Sequence, residues 1–102
     1  MSDIYDIVRR AIVDRHQILA TYQDHHREMC PHVIGIKDGR QQALFFQFAG
    51  SSSRGLPLGG GWRCLPVDGL SNVVSQPGDW HTSADYSRLQ TCVEIVDVEV
   101  GH

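Results

Sequence analysis

The sequence predicts a mainly β protein in which one N-terminal α-helix precedes five strongly bent strands that close into a small barrel. Three observations support this fold class: apolar residues repeat at helical spacing up to residue 14, apolar and polar residues alternate from residue 17, and two turn signals separate the first three strand segments. A chain of 102 residues suffices for one hydrophobic core. We therefore predict a single domain over residues 1–102, with the helix at 3–14 and the barrel at 17–100.

The helix is predicted from apolar residues at i, i+3, i+4, i+7 and i+8, the spacing of one buried helical face. These residues are Ile4, Ile7, Val8, Ala11 and Ile12. Ser2 or Asp3 stands where an N-cap residue accepts a hydrogen bond from the first turn. The segment is thus typical of an amphipathic helix.

The first three strands follow as a predicted meander. The first begins at residue 17 and ends at the polar residues 23–26, which we interpret as a hairpin turn. The second, at residues 29–36, contains Pro31, which lacks a backbone donor and favours a bend or an edge position. Asp38 and Gly39 predict a tight hairpin. The third strand, at residues 43–48, is largely apolar on both faces, so we expect it to be central.

Residues 50–61 lack periodicity and are rich in Gly and Ser, and a loop of this length is unusual in a small domain. Strands are predicted again at 62–67 and 91–100, with a short helical turn at 68–72. In the last strand, Val93 and Ile95 fall on one face of a regular strand, whereas Val96, Val98 and Val100 fall on the other. This change predicts a bulge or sharp bend near Ile95 and Val96. This order of elements is typical of an Sm-like or SH3-like barrel. A five-stranded open meander with the helix on one face is the alternative.

Three segments of the chain resemble the WYL domain of bacterial regulators: residues 27–34, 44–47 and 62–73. In the order of that family, Pro31 stands at the proline of the second strand. Leu44, Phe45 and Phe46 stand at the Trp-Tyr-Leu triplet. In the fourth-strand motif, the family's Arg, Phe and Asp correspond to Arg63, Leu65 and Asp68.

The resemblance covers roughly residues 15–75 and implies an Sm-like barrel that senses a ligand, often a nucleic acid or a nucleotide. Gly69 departs from the family, which usually has at this position an arginine that is expected to face the ligand. Residues 1–16 are too short for the helix-turn-helix that commonly precedes such domains. The chain therefore resembles a small stand-alone bacterial protein built on that barrel.

Charge indicates where an anion would bind. The net charge of −3 excludes non-specific capture of a polyanion by bulk charge, so there is no strong nucleic-acid signal. The charges are unevenly placed: residues 27–63 hold five basic and two acidic residues, whereas residues 64–102 hold one basic and six acidic residues. We therefore expect any anion site to lie in the middle of the chain.

The candidate ligand-binding residues are Gln47, Ser52, Arg54, Trp62 and Arg63. Ser52 and Arg54 belong to the long loop, whose unhindered amides and arginine suit an anion, although a mobile connector has the same composition. An arginine beside an indole suits a phosphate or carboxylate next to a stacking surface, although a salt bridge of Arg63 with Asp68 explains the same residues. Gln47 either contacts the ligand or satisfies a buried backbone group.

Three cysteines without a paired spacing predict free, mostly buried thiols; a disulfide between Cys64 and Cys92 requires their Cα atoms to lie within about 7 Å. His25, His26, Cys30 and His32 lack the remaining donors of a tetrahedral site, so we predict no metal and no cofactor. The acidic, polar N-terminus lacks the pattern of a secretory signal, and composition shows no membrane span, which together predict a cytoplasmic protein.

The sequence indicates the architecture of the protein more clearly than its function. We predict a non-enzymatic ligand-binding or sensing module for a small anionic ligand or nucleotide, because no nucleophile signature supports catalysis; Cys30 with His81 is the nearest approach to one. The alternative is a protein–protein interaction or self-assembly module, including a homo-oligomer, that uses the edge strands of the barrel.

Overall fold

The computed structural model describes residues 3–51, 59–83 and 90–100. Within these ranges the chain forms one α-helix, one 3-10 turn and six strands. The helix is α1 (Ile4–Asp14), the 3-10 turn is Val67–Gly69, and the strands are β1 (Gln17–Tyr22), β2 (His25–Lys37), β3 (Arg40–Gly50), β4 (Gly61–Pro66), β5 (Ser71–Gln76) and β6 (Ile95–Glu99). The prediction of a mainly β protein with one N-terminal helix is confirmed.

The six strands form one antiparallel sheet in the order β4-β3-β2-β1-β5, and β6 pairs with β2. β3 pairs with β2 along most of its length, whereas β1 and β6 pair with successive parts of β2, residues 25–29 and 33–36. The register against β3 shifts between Pro31 and Val33, so the proline lies beside an irregularity of the strand pairing. β2 is therefore the strand that organises the sheet.

The described part of the sheet is open, since β4 and β5 stand at its two ends and do not pair with each other. The closed five-stranded barrel that we predicted is not confirmed. The additional strand is β5, whose polar residues gave no strand signal, because four of its six side chains are exposed. It forms through backbone pairing with β1, in which Leu19 lies opposite Val74.

Helix α1 follows the predicted pattern. The Asp3 side chain is the N-cap and accepts a hydrogen bond of 2.9 Å from the Asp6 backbone N–H. Val8, Ala11 and Ile12 are buried in the main core. The helix ends at Arg15, which adopts a left-handed conformation with φ of 55°.

Asp97 of β6 attaches to the exposed side of α1. The Tyr5 hydroxyl donates a hydrogen bond of 2.6 Å to the Asp97 carboxylate, and Arg9 Nε lies 3.1 Å from the same oxygen. Burial and this hydrogen bond raise the pKa of Tyr5 to about 12, and the hydrogen bond from Tyr5 lowers the pKa of Asp97. The first and last described elements are thereby joined.

The two predicted hairpins have two-residue turns. Asp38 and Gly39 have φ of 53° and 76°, and Gln23 and Asp24 have φ of 51° and 63°. Positive φ at both central residues is the geometry of a type I′ turn, whose twist matches that of the flanking strands. We predicted residues 23–26 as the first turn; the structure corrects this, because His25 belongs to β2 and pairs with Tyr22.

The sheet carries an apolar cluster on each face. The inner face, covered by α1, contains the main core, which includes Ile18, Met29, Phe45 and Leu65. The opposite face carries a smaller cluster of Val33, Leu44, Cys92 and Val93, with Trp62 packed against it. β3 contributes to both, which confirms its predicted central position.

β6 is shorter than the strand predicted at residues 91–100, and its irregularity is near the predicted place. Gly35 pairs with Val96 whereas Ile34 pairs with Val98, so the register shifts by one residue at Asp97. The shift places Ile95 on the same face as Val98, although their parities differ, and it places Val96 on the opposite face.

Cys64 and Cys92 form a disulfide, with their Cα atoms 5.6 Å apart. The prediction that they are free thiols is therefore wrong: β3 and β4 bring Cys64 beside a segment 28 residues further along the chain, and spacing alone did not indicate this approach. The bond ties the residues preceding β6 to β4. Cys30 is free and buried, as predicted.

Substitution of Gly35 tests the contact between β2 and β6. A Cβ atom at this position would collide with the Ile95 carbonyl and would lie 2.6 Å from Val93 Cγ1. We expect Gly35→Ala to lower the free energy of unfolding by about 1–3 kcal/mol, because β6 must move away. Chemical denaturation measures the loss; Gln41→Ala, an exposed change on β3, is the control, and equal stability of the two variants would contradict the described packing.

Candidate functional site

One end of the inner sheet face carries polar and cationic side chains in place of apolar ones. Met29 pairs with Gln47, and Arg27, two residues before Met29, lies on the same face because side chains two apart in a strand share a face. Arg63 pairs with Phe45, which shares its face with Gln47. Tyr22 shares the same face on β1. We call Tyr22, Arg27, Gln47 and Arg63 the arginine cluster.

Gln47 is fully buried and all of its polar atoms are engaged. Its amide nitrogen donates to the carbonyls of Ala49, at 3.0 Å, and of Ser51, at 3.1 Å. Its amide oxygen accepts from Arg27 Nη1 at 3.5 Å. Gln47 therefore satisfies backbone groups, one of the two roles considered for it, and also contacts an arginine that the sequence did not single out.

Arg27 is 3% exposed, an unusual state for a charged side chain. Its guanidinium carbon lies 5.2 Å from the centre of the Tyr22 ring, in a cation–π contact. Its Nε is buried and has no hydrogen-bond partner, and within the described ranges Arg27 forms no ion pair. Burial, and then repulsion by Arg63, lower the pKa of Arg27.

Arg63 brings the cluster towards the surface. It is partly exposed on β4 and donates a hydrogen bond of 3.0 Å to the Trp62 carbonyl. Register places Arg63 on the same face as Gln47 and Arg27, so two positive charges share this end of the face. Arrangements of this kind raise the local concentration of anions.

Predicted site residues Ser52 and Arg54 lie outside the described residues. The chain on either side of residues 52–58 does reach the cluster: the Ser51 carbonyl accepts from Gln47, and Gly61 pairs with Gln47. Gly60 packs so closely on the Gln47 carbonyl and the Phe46 ring that a Cβ atom there would lie 2.6 and 2.7 Å from them. The predicted loop thus starts and ends beside the arginine cluster.

Trp62 lies on the opposite face of β4 from Arg63, because successive side chains of a strand point to opposite sides. Its ring contacts His32, with centroids 4.8 Å apart, and Phe46, at 5.1 Å. We predicted Trp62 and Arg63 as neighbours in one ligand site; the structure places their side chains on opposite faces of β4. Adjacency in sequence suggested proximity, but strand alternation separates the two side chains.

Tyr22 and Arg27 are the two residues of this cluster that were not among the predicted site residues, and Arg27 is the charged one. Residues 23–26 were predicted to be a turn, which left Arg27 outside the second strand. With the turn at Gln23 and Asp24, strand alternation places Arg27 in phase with Met29 on the buried face. The signal available in the sequence was therefore the position of a two-residue turn.

His32 is the second buried titratable group. Its ring lies between Trp62 and Trp80, and Nδ1 lies 2.8 Å from the Cys30 carbonyl. Since a carbonyl only accepts, Nδ1 carries the proton and Nε2 of the neutral ring accepts from the Thr82 hydroxyl at 2.9 Å. Burial lowers the pKa of His32, against the raising effect of the Cys30 carbonyl. His32 therefore fixes residues 80–82 on the sheet.

Cys30 is also held by that segment. The His81 backbone N–H donates to Cys30 Sγ at 3.2 Å. Burial raises the pKa of the Cys30 thiol to about 11, more than this hydrogen bond lowers it. At neutral pH the group is a thiol and not the nucleophilic thiolate.

Two surface grooves, of about 450 and 410 Å³, are lined largely by α1 and share no residue with the arginine cluster. Within residues 3–51, 59–83 and 90–100, no three His, Cys, Asp or Glu side chains are placed to hold a metal ion. In the same part of the chain, the 11-residue helix is shorter than the roughly 20 apolar residues that cross a bilayer.

Comparison with protein-family models, curated proteins and solved structures found no match to this chain. The resemblance to the WYL domain therefore has no support from these comparisons, and membership of that family stays a prediction.

The burial of neutral His32 predicts a loss of stability in acid. The unfolded chain binds a proton at this residue near pH 6.5, whereas the folded protein binds it at lower pH. The free energy of unfolding therefore falls as the pH drops below 6.5, by up to about 1.4 kcal/mol per pH unit from this group, until the folded form also protonates.

Urea denaturation between pH 7 and 5 measures this dependence. We expect His32→Gln to have a shallower slope than the wild type, whatever its absolute stability. His26→Gln, a change at an exposed position of β2, is the matched control and should keep the wild-type slope. An unchanged slope in His32→Gln would show that His32 does not titrate differently on folding.

Proposed function

We propose that this protein is a non-enzymatic binding module that recognises a small anionic ligand at the arginine cluster. The observation that carries the proposal is Arg27, a buried guanidinium that has no carboxylate partner in the described structure and shares its sheet face with a second arginine, Arg63. A buried charge is costly unless it is paired, and a bound anion supplies the missing partner.

The long Gly- and Ser-rich loop supports the same location. The residues that flank it, Ser51 and Gly61, both contact or pair with Gln47. Ser52 and Arg54 are thus attached within a few residues of the cluster. We assign Arg54 to this ligand as a third arginine, in addition to Arg27 and Arg63.

A binding role is favoured over catalysis by the state of the other reactive groups. Cys30 is a buried thiol whose pKa is about 11, so it is a poor nucleophile at neutral pH. His32 has both ring nitrogens at hydrogen-bond distance from protein atoms and is 1% exposed. Neither group is placed as the general base of a reaction would be.

We also propose, as the finer description of the fold, a strongly bent Sm-like barrel related to the WYL domain. The support is the change of pairing partner along one edge of β2, from β1 to β6, since the strands of such barrels also pair with different strands at their two ends.

A cytoplasmic location remains a prediction. The Cys64–Cys92 disulfide counts against it, because disulfides persist mainly in oxidising compartments.

Thermal denaturation with a panel of phosphate, carboxylate and nucleotide anions tests the proposed function. We expect at least one anion to raise the melting temperature of the wild type, because a ligand that binds only the folded state stabilises it. Arg63→Ala and Arg54→Ala should reduce the increase. Arg40→Ala removes a positive charge from the exposed β3 end and should keep it. A panel without any stabilising anion removes the proposal.

The exposed strands favour a second candidate function, self-assembly through sheet edges. In the described sheet β4 and β5 are terminal strands, and the apolar side chains Ile95 and Val96 on β6 are 69% and 45% exposed. Unpaired strand edges and exposed apolar side chains are common features of protein interfaces.

Light scattering after gel filtration over a hundredfold range of protein concentration tests assembly. Under this second candidate the mass exceeds 11.4 kDa and rises with concentration, and Val96→Lys shifts the equilibrium towards the monomer. Lys is chosen because charge on an edge strand opposes pairing. A constant monomer mass for the wild type counts against assembly and leaves the anion-binding proposal unaffected.

A further inference from the structure

We propose that the ligand group is a compact oxyanion, such as a carboxylate or a phosphate, bound by the Nε edge of Arg27, and that a nucleobase takes no part in recognition. This inference rests on the proposed function and narrows it in two ways: it assigns the principal contact to a residue inside the sheet, and it assigns the chemical class of the ligand.

The one hydrogen bond of Arg27 in the described part of the chain leaves one edge of its guanidinium without a partner. Nη1 donates to Gln47 at 3.5 Å, while Nε is buried and has no partner, and no hydrogen bond from Nη2 to a described residue is present. Nε and Nη2 point in parallel from one edge of the planar group. Two parallel N–H donors match the two oxygens of a carboxylate or phosphate.

The surroundings hold that edge in place. The Tyr22 ring lies against the guanidinium, and Gln47, fixed by the Ala49 and Ser51 carbonyls, holds Nη1. An arginine positioned in this way loses little conformational freedom on binding, which improves affinity. Arg63 adds a second positive charge on the same face.

The aromatic rings near the cluster are not available to a nucleobase. Trp62 projects from the other face of β4 and packs on His32 and Phe46. The Tyr22 ring is covered by Arg27, and Gly69 approaches it so closely that a Cβ atom would lie 2.8 Å from Tyr22 Cε1. A nucleotide bound at Arg27 therefore gains nothing from Trp62 or Tyr22.

An arginine that serves the ligand differs from a structural arginine in its effect on stability. Removing a buried charge that lacks a counter-charge relieves the cost of burying it, although Arg27→Met also leaves the buried Gln47 amide oxygen without its donor. In buffer without phosphate, carboxylate or sulfate, we therefore expect Arg27→Met to lower the melting temperature by no more than about 5 °C. A structural arginine would show a larger loss.

Calorimetric titration and thermal denaturation with inorganic phosphate, acetate and adenosine monophosphate test the inference on the whole chain. We expect the two simple anions to bind the wild type, and Arg27→Lys, which keeps the charge but loses the paired donors, to bind them at least about tenfold more weakly. Arg27→Met should show no response. Arg40→Met is the matched control and should behave as the wild type.

Adenosine monophosphate separates the ligand classes. We expect it to bind with an affinity close to that of inorganic phosphate, and Trp62→Phe to leave both affinities unchanged. If the nucleotide binds at least about tenfold more tightly than phosphate and Trp62→Phe removes the difference, the assignment to a compact oxyanion is overturned.

The outcomes also distinguish this inference from the proposed function. If no anion binds the wild type, both fail. If phosphate binds the wild type and Arg27→Lys equally, but Arg63→Ala weakly, the module binds anions elsewhere in the cluster and the inference about Arg27 is wrong. Should Arg27→Met fail to fold, Arg27 has a structural role that contradicts the stability argument, and Arg27→Lys still decides the contact.

Discussion

The pairing of β2 with three other strands is the constraint on which the rest of this structure depends. Along one edge it pairs with β3, and along the other it pairs first with β1 and then with β6. Pro31 stands where these partners change, and its missing N–H is tolerated at such an irregular position. β6 pairs with β2 only beyond this point. That pairing places Asp97 beside α1, where its carboxylate accepts hydrogen bonds from Tyr5 and Arg9.

β2 also contributes two of the buried titratable groups, Arg27 and Cys30. Its residues point alternately to the two faces of the sheet, so Arg27 and Met29 lie on the inner face whereas Cys30 lies towards residues 79–81. The inner face is apolar along most of its length and becomes cationic at the end where Gln47 and Arg63 are placed. A hydrophobic face interrupted by a buried guanidinium is energetically unfavourable without a counter-charge. This conflict between fold and charge is the physical basis for assigning a ligand.

Much of the fold could be predicted from the sequence because it depends on local patterns. The apolar spacing of α1, the Asp38-Gly39 turn and the two apolar faces of β3 all have direct counterparts in the structure. β5 could not be predicted because its exposed, polar side chains carry no alternation, and backbone pairing with β1 alone defines it. The Cys64–Cys92 disulfide depends on tertiary proximity, which spacing does not encode.

The candidate site was only partly accessible to sequence reasoning. Residue type alone made Gln47 and Arg63 candidates. The structure places Trp62 on the other face of β4, and it places Arg27 beside Gln47, where the burial of Arg27 follows from the exact position of a turn. The proposal depends most on one contact, a hydrogen bond from the Arg27 Nε–H to a bound oxyanion. Nuclear magnetic resonance of the arginine Nε–H groups during addition of inorganic phosphate tests it most directly. We expect the Arg27 Nε–H resonance to be protected and to move furthest. An unmoved Arg27 signal beside shifting signals of other arginines would contradict the assignment of the oxyanion to Arg27.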